Sequence, residues 1–265
     1  MAGNIAIVSG ASSGIGRETA TLLQKNGYKV YAFNRSKTDI AGVEFVSVDI
    51  MKIDDIKRGV AFVLEREGRI DLLVNNAGMG ISGALEDTTD ERAEYIFDVN
   101  FFGGFKLARE VIPSMRENGG GRIINVSSLA AVFYLPFQGF YSASKAAINS
   151  LFSAMQLEVK PFNIKITNVM PGDIQTGFTG NRRKNEDVTP VYADRINKSV
   201  AVMEKDEQNG MPPSSVAEVI VKQAKSNKPK LIVTVGSKYK LLAFLSKLLP
   251  AGLVNNIIYS MYGGN

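Results

Sequence analysis

The chain has 265 residues; 45% are hydrophobic and 22% charged, as in a soluble globular protein with a full core. It contains neither Cys nor His, which excludes disulfides, thiolate nucleophiles, thiolate or imidazole metal sites and a Ser-His-Asp triad, so no metal is expected and acid–base chemistry falls to Asp, Glu, Lys or Tyr. The formal net charge is +5, but residues 219–265 hold seven Lys and no acid, so only the tail is cationic and no nucleic-acid partner is expected.

In chain order, residues 4–9 read as a strand entering a glycine loop, with no charged and then apolar leader before it, so no signal peptide is expected. Residues 15–25 follow as a helix, with Ile15, Thr19, Leu22 and Leu23 on one side. Residues 29–33 and 43–48 are strands. Residues 52–66 are helical, carrying Ile53, Ile56, Val60, Val63 and Leu64 at helical spacing. A fourth strand spans 71–74, and a long helix spans 90–115 with a bend near Phe102-Gly103-Gly104. Then come a strand at 122–126, a long helix at 138–160 and a strand at 164–169. Residues 178–213 are polar and irregular and read as a substrate-loop insertion, with Arg182-Arg183-Lys184 as a solvated charge run. A helix at 214–226 and a seventh strand at 230–235 complete the alternation. Residues 237–265 form an amphipathic extension, two short helices divided at Pro250-Ala251-Gly252. Lys247, Pro250, Asn255 and Asn256 interrupt its apolar run, so it falls short of the ~20 apolar residues a membrane-spanning helix needs. Together these elements predict an α/β, Rossmann-type doubly wound fold: one domain over 1–265, a seven-stranded parallel sheet and helices on both faces.

The first strand–helix junction reads Ser9-Gly10-Ala11-Ser12-Ser13-Gly14-Ile15-Gly16. Glycines there let the backbone turn tightly, and the free N–H groups of the helix that follows suit a pyrophosphate. An acid at the end of the second strand would bind the ribose 2′-OH of NAD and repel a 2′-phosphate. This chain instead has Asn34-Arg35-Ser36-Lys37. Arg35 can grip a phosphate and Ser36 can donate to it, which points to NADP(H).

Tyr141 and Lys145 stand at i, i+4 on one helix face. An ammonium beside a phenol stabilises the phenolate, so the Tyr141 pKa is expected to fall toward neutrality. Ligands of a parallel sheet bind outside the carboxyl ends of its strands. Ser128 ends the fifth strand, Asn75-Asn76-Ala77-Gly78 the fourth and Pro171-Gly172 the sixth, all on that edge.

With these residues in this order the chain resembles the classical short-chain dehydrogenases/reductases. The likeness rests on the glycine loop, Asp49, Asn75 to Gly78, Asn100 in Asp98-Val99-Asn100, Ser128, Tyr141-Ser142-Ala143-Ser144-Lys145 and Pro171-Gly172-Asp173-Ile174-Gln175-Thr176. One departure is Ser9 where Thr is usual; the hydroxyl survives. The resemblance implies a catalytic set of Asn100, Ser128, Tyr141 and Lys145. Tyr141 would be the general acid and base, Lys145 would lower its pKa and bind the nicotinamide ribose, Ser128 would polarise the carbonyl, and Asn100 would hold a proton-relay water. It implies a cofactor site of Gly10, Ser12, Ser13, Gly14, Ile15 and Gly16, with Arg35, Ser36, Asp49, Ile50, Asn76, Ala77, Gly78, Tyr141, Lys145, Pro171, Gly172, Ile174 and Thr176. The implied activity is NADP(H)-dependent reduction of a ketone or aldehyde, or oxidation of the matching alcohol.

The stretch between Ser128 and Tyr141 is apolar and aromatic. Phe133 and Leu135 from it, with Met79 and Phe178, are expected to line a pocket for a lipophilic carbonyl or alcohol. This stretch, with the segment around Pro161, is similar to the 17β-hydroxysteroid and retinol dehydrogenase branch. Two alternatives stay open: a reductase of 3-oxoacyl groups on carriers, and a non-catalytic NADP-binding redox sensor. A homodimer or homotetramer in the cytoplasm is expected. The tail either packs over the substrate cleft or a neighbouring subunit, the favoured reading, or touches an anionic membrane surface weakly.

Overall fold

Strands covered by helices on both faces are buried along most of their length and rich in Val, Ile and Leu, as the five central strands here are. A computed structural model describes residues 4–264. The strands are β1 (Ile5–Ser9), β2 (Lys29–Asn34), β3 (Val43–Ser47), β4 (Leu72–Asn75), β5 (Ile81–Ser82), β6 (Gly121–Val126), β7 (Ile164–Met170), β8 (Arg183–Lys184) and β9 (Ile232–Thr234). Seven of them form one parallel sheet in the order β3-β2-β1-β4-β6-β7-β9, and the chain builds a single domain on it. From β1 the chain winds outward through β2 and β3, then returns to β4 on the other side of β1. That reversal opens a crevice at the carboxyl ends of β1 and β4, where such sheets bind ligands.

The helices are α1 (Gly14–Lys25), α2 (Ile53–Glu67), α3 (Asp90–Phe97), α4 (Gly104–Glu117), α5 (Gly139–Val159), α6 (Pro190–Gln208), α7 (Pro213–Lys225), α8 (Ser237–Leu245) and α9 (Ala251–Tyr262). One core sets Ile56 and Val60 of α2, Leu107 and Val111 of α4 and Phe152 of α5 against one sheet face. The other sets Ala20 and Leu23 of α1 and Val216 and Ile220 of α7 against the opposite face.

The expected bend in the long helix is a π-helical turn over Asp98–Gly103 that joins α3 to α4. It needs small residues: a Cβ on Gly104 would stand 2.3 Å from Asn75 Nδ2, and one on Gly103 2.9 Å from Ile50 Cδ1. Asn75, Asn125 and Asn168 lie side by side on β4, β6 and β7 and bond in series, at 3.0 Å and 2.8 Å. Asn168 then reaches Ser153 Oγ of α5 at 3.3 Å, which fixes that helix against the sheet.

Residues 178–213 differ from their irregular reading. They contain the 19-residue helix α6, which Pro190 starts and which buries Ile196, Val200 and Met203 at i, i+4 and i+7. They also contain β8, which pairs with β5. Nor is Arg182 part of a solvated run: its side chain is fully buried in an ion pair with Glu207, while Arg183 and Lys184 are exposed.

Candidate active site

Gly10 and Gly14 hold φ of +67° and +52°, in the left-handed region that glycine enters without strain. At the start of α1, Ser13 makes no side-chain cap bond, so its first-turn N–H groups stay available to an anion. The loops after β1 and β4 are locked together across the crevice. Asn76 N and Ala77 N donate to Ser9 Oγ at 3.0 and 3.1 Å, and Asn76 Nδ2 donates to Ser9 O and Gly10 O at 3.1 and 3.0 Å. The hydroxyl of Ser9 is therefore a brace between two loops.

A cavity of about 600 Å³ runs along this edge. Gly10, Ser12, Ser13, Gly14, Ile15, Arg35, Ser36, Asp49, Ile50, Asn76, Ala77, Gly78, Pro171, Gly172, Ile174 and Thr176 line it, as do Ser128, Tyr141 and Lys145. Two expected residues do not reach it. Gly16 is buried in the helix packing, where a Cβ would stand 2.2 Å from Gly10 O and 2.5 Å from Asn76 Nδ2. There it allows the close approach of helix to loop. Asn100 sits behind the wall: Met79 N donates to its Oδ1 at 2.8 Å, and its Nδ2 donates to Met79 O at 2.9 Å and Ser144 Oγ at 3.0 Å. The Asn100 side chain thus clamps the loop after β4 to α5.

Tyr141 and Lys145 are buried one turn apart on α5, and the Ser128 side chain lies near enough to the Tyr141 hydroxyl to favour its ionised form. Ser128 Oγ also accepts from Ala130 N at 3.1 Å, which fixes its rotamer. The expected fall in the phenol pKa is not found. Burial pushes Tyr141 up to about 12; Ser128 pulls it down, Glu207 adds to the rise and Arg182 opposes it. Lys145 Nζ donates to Val126 O at 3.2 Å and stands 5.9 Å from the centre of the Tyr141 ring. Burial also pushes the Lys145 ammonium down to about 8.

Met79, Phe133, Leu135 and Phe178 also line the cavity, and the Phe178 ring lies 5.6 Å from that of Tyr141. Met203 and Glu207 of α6 line it too, which sequence reasoning missed, and so do Leu242, Leu249, Ile258 and Met261 of the tail, the segment read from sequence as packing over the substrate cleft or a neighbouring subunit. Thr179 Oγ1 donates to Glu207 Oε2 at 2.5 Å, beside the Arg182 ion pair. The tail is pinned by Tyr239 OH donating to Asp173 Oδ2 at 2.7 Å, Tyr262 OH donating to Asp206 Oδ2 at 3.1 Å, and Arg195 donating to Gly263 O.

A doubly wound sheet with a glycine loop at its switch point and a buried tyrosine at the same edge defines a nucleotide-binding oxidoreductase. The short chain dehydrogenase family model matches residues 4–187, and the chain belongs to that family of oxidoreductases acting on CH–OH and C=O groups. It is 40% identical to the 3-ketodihydrosphingosine reductase of Bacteroides thetaiotaomicron, over 92% of this chain and 91% of that one. It is 33% identical to the NADPH-dependent 1-acyldihydroxyacetone phosphate reductase of Saccharomyces cerevisiae, over 94% and 88%. A short-chain dehydrogenase from Streptomyces avermitilis superposes with a TM-score of 0.84 at 30% identity, over 93% of each chain.

Proposed function

We propose that the protein reduces a long-chain lipid ketone with NADPH, Tyr141 serving as the proton donor. The observation that carries this is the buried Tyr141 phenol beside Ser128, in one cavity lined by both the glycine loop and apolar side chains. Left-handed Gly10 and Gly14, the uncapped start of α1 and the absence of an acid at Arg35 fit a dinucleotide carrying a 2′-phosphate. Gly10 to Ile15 would hold its pyrophosphate, Arg35 and Ser36 its 2′-phosphate, Asp49 and Ile50 its adenine, Asn76 to Gly78 the adjoining ribose, and Pro171 to Thr176 its carboxamide. When bound, the nicotinamide supplies a hydride.

The chain's own groups supply the rest. Ser128 hydrogen-bonds the carbonyl oxygen and Tyr141 delivers a proton to it as negative charge develops. A phenol raised to about 12 is protonated at neutral pH, the form that reduction needs. Lys145 contributes a buried positive charge beside the ring. Asn100 positions the Met79 loop and α5 relative to each other. The lipid reading draws on the apolar wall together with the two relatives named for lipid ketones. Work in the cytoplasm as a homodimer or homotetramer belongs to the same reading.

The test is NADPH oxidation against a panel of 3-ketodihydrosphingosine, steroid, retinoid, 3-oxoacyl and small aromatic ketones. The expected result is fastest turnover of the long-chain ketone, and slower turnover with NADH. Tight NADPH binding with no turnover of any carbonyl would favour the redox sensor instead.

A further inference from the structure

We propose that the outer face of the C-terminal tail docks on an anionic lipid surface, with the mouth of the cavity opening onto that surface. α8 and the turn after it present Leu241, Phe244, Leu245 and Leu248 at i, i+3, i+4 and i+7, a single helical stripe. Leu241, Phe244 and Leu248 are 58%, 59% and 65% exposed. On α9, Leu253, Ile257 and Met261 are exposed at i, i+4 and i+8. Contiguous apolar surface on this scale marks an interaction site, since burying it is favourable and leaving it in water is not.

Two observations choose the occupant. The first is charge. Lys240 and Lys247 lie a heptad apart, on the flank of the stripe away from Leu242 and Leu249, and both are exposed without an ion pair among the described residues. No acid occurs anywhere from residue 219 onward. Lysine stems can lie along an apolar surface and place their ammonium groups at lipid phosphates. A second copy docking face to face would instead bring two lysine sets together with no acid in the segment to answer them.

The second is continuity with the cavity. Leu242, Leu245, Ile257 and Met261 are exposed and also line the cavity, so its mouth lies within the patch. A lipophilic molecule would pass from bilayer to cavity along an apolar path. No helix among the described residues is long and apolar enough to cross a membrane, so the tail lies on the surface rather than spanning it. The proposal rests on the exposed face and its charge and holds whichever ketone is reduced.

The test is co-sedimentation of the full-length protein with phosphatidylcholine vesicles, with and without phosphatidylglycerol. The protein is expected to pellet with the anionic vesicles, less so in high salt, and to remain in solution with the neutral ones. Combining Leu241→Asp, Phe244→Asp and Leu248→Asp should abolish pelleting while turnover of a small soluble ketone is unchanged. Lys240→Glu and Lys247→Glu should each weaken partitioning by about fivefold or more. Three results overturn the proposal: no pelleting with either vesicle, equal pelleting with both, or undiminished pelleting of the triple variant. A fourth is light scattering that shows a dimer of the parent protein which the triple variant dissociates, since the face then belongs to a second copy.

Discussion

The two walls of the cavity are built by different means. The wall under the glycine loop is mostly backbone. Its shape comes from Gly10 and Gly14 at positive φ and from the Ser9 and Asn76 bonds that tie adjacent strand ends. The facing wall is mostly side chain, brought from α6, α8 and α9 and held by a few tethers, Tyr239 to Asp173 and Tyr262 to Asp206 among them. A backbone wall cannot change by small steps, because a Cβ on Gly10 would come within 2.8 Å of Ala77 Cα. A side-chain wall can change one methylene at a time. Cofactor use and substrate choice are therefore separable properties of this molecule.

Tyr141→Phe tests that separation most severely, because the phenol lies where the walls meet. It should lower kcat by ~10²–10⁴-fold, the usual cost of losing a general acid. NADPH binding, followed by fluorescence, should stay near the parent value, because no backbone of the first wall moves. A variant that loses dinucleotide affinity in parallel with kcat would show that the walls are coupled through this ring.

Arg35→Asp addresses the backbone wall alone. Arg35 is exposed at the end of β2 and lines the cavity. A hydrogen bond to a charged group contributes about 1.5–3 kcal/mol, so the NADPH over NADH preference in kcat/KM should drop by ~10–100-fold. The KM for the ketone should hold. An unchanged preference would place the 2′-phosphate away from Arg35.

The backbone wall was also the more legible in the sequence. Its residues are consecutive or end neighbouring strands, so Ser9 to Gly16, Asn76 to Gly78 and Ser128 follow from strand–helix alternation alone. Even there, a third glycine in the loop does not announce whether it faces ligand or protein, and Gly16 faces Asn76. The second wall was mostly hidden. α6 buries only Ile196, Ser199, Val200 and Met203 among many charged residues, too weak a stripe to stand out. Arg182 reads as surface until Glu207, 25 residues on, arrives beside it. The Tyr141–Lys145 spacing was legible, but the acidity of the phenol was not, because it depends first on burial and then on Ser128, Glu207 and Arg182 around it.

A pH profile sharpens the same contrast from the side of Lys145. Its ammonium, held near 8 by burial, is present below that pH and lost above it. If the nicotinamide ribose binds this ammonium, as the family resemblance implies, binding at higher pH requires Lys145 to take up a proton, so NADPH affinity should fall by up to tenfold per unit above about pH 8. Lys145→Met should flatten that limb. If the decline persists in the variant, another group carries it.

The smallest effect belongs to the side-chain wall. Leu249 lines the cavity from beyond α8, far in sequence from every proton-transfer group. Leu249→Ala removes three carbons, and with ~0.8 kcal/mol per buried CH₂ as an upper bound on what a half-exposed leucine contributes, KM for a long-chain ketone should rise by about three- to tenfold. Three readings should stay level: kcat with the long-chain ketone, kcat/KM with a small aromatic ketone, and NADPH affinity. Such a split assigns the tail to chain binding and leaves proton transfer to Tyr141 and Ser128. A fall in kcat with the small ketone would mean instead that the tail sets the position of Tyr141 through α6 and Glu207, and the two walls would then be one structure.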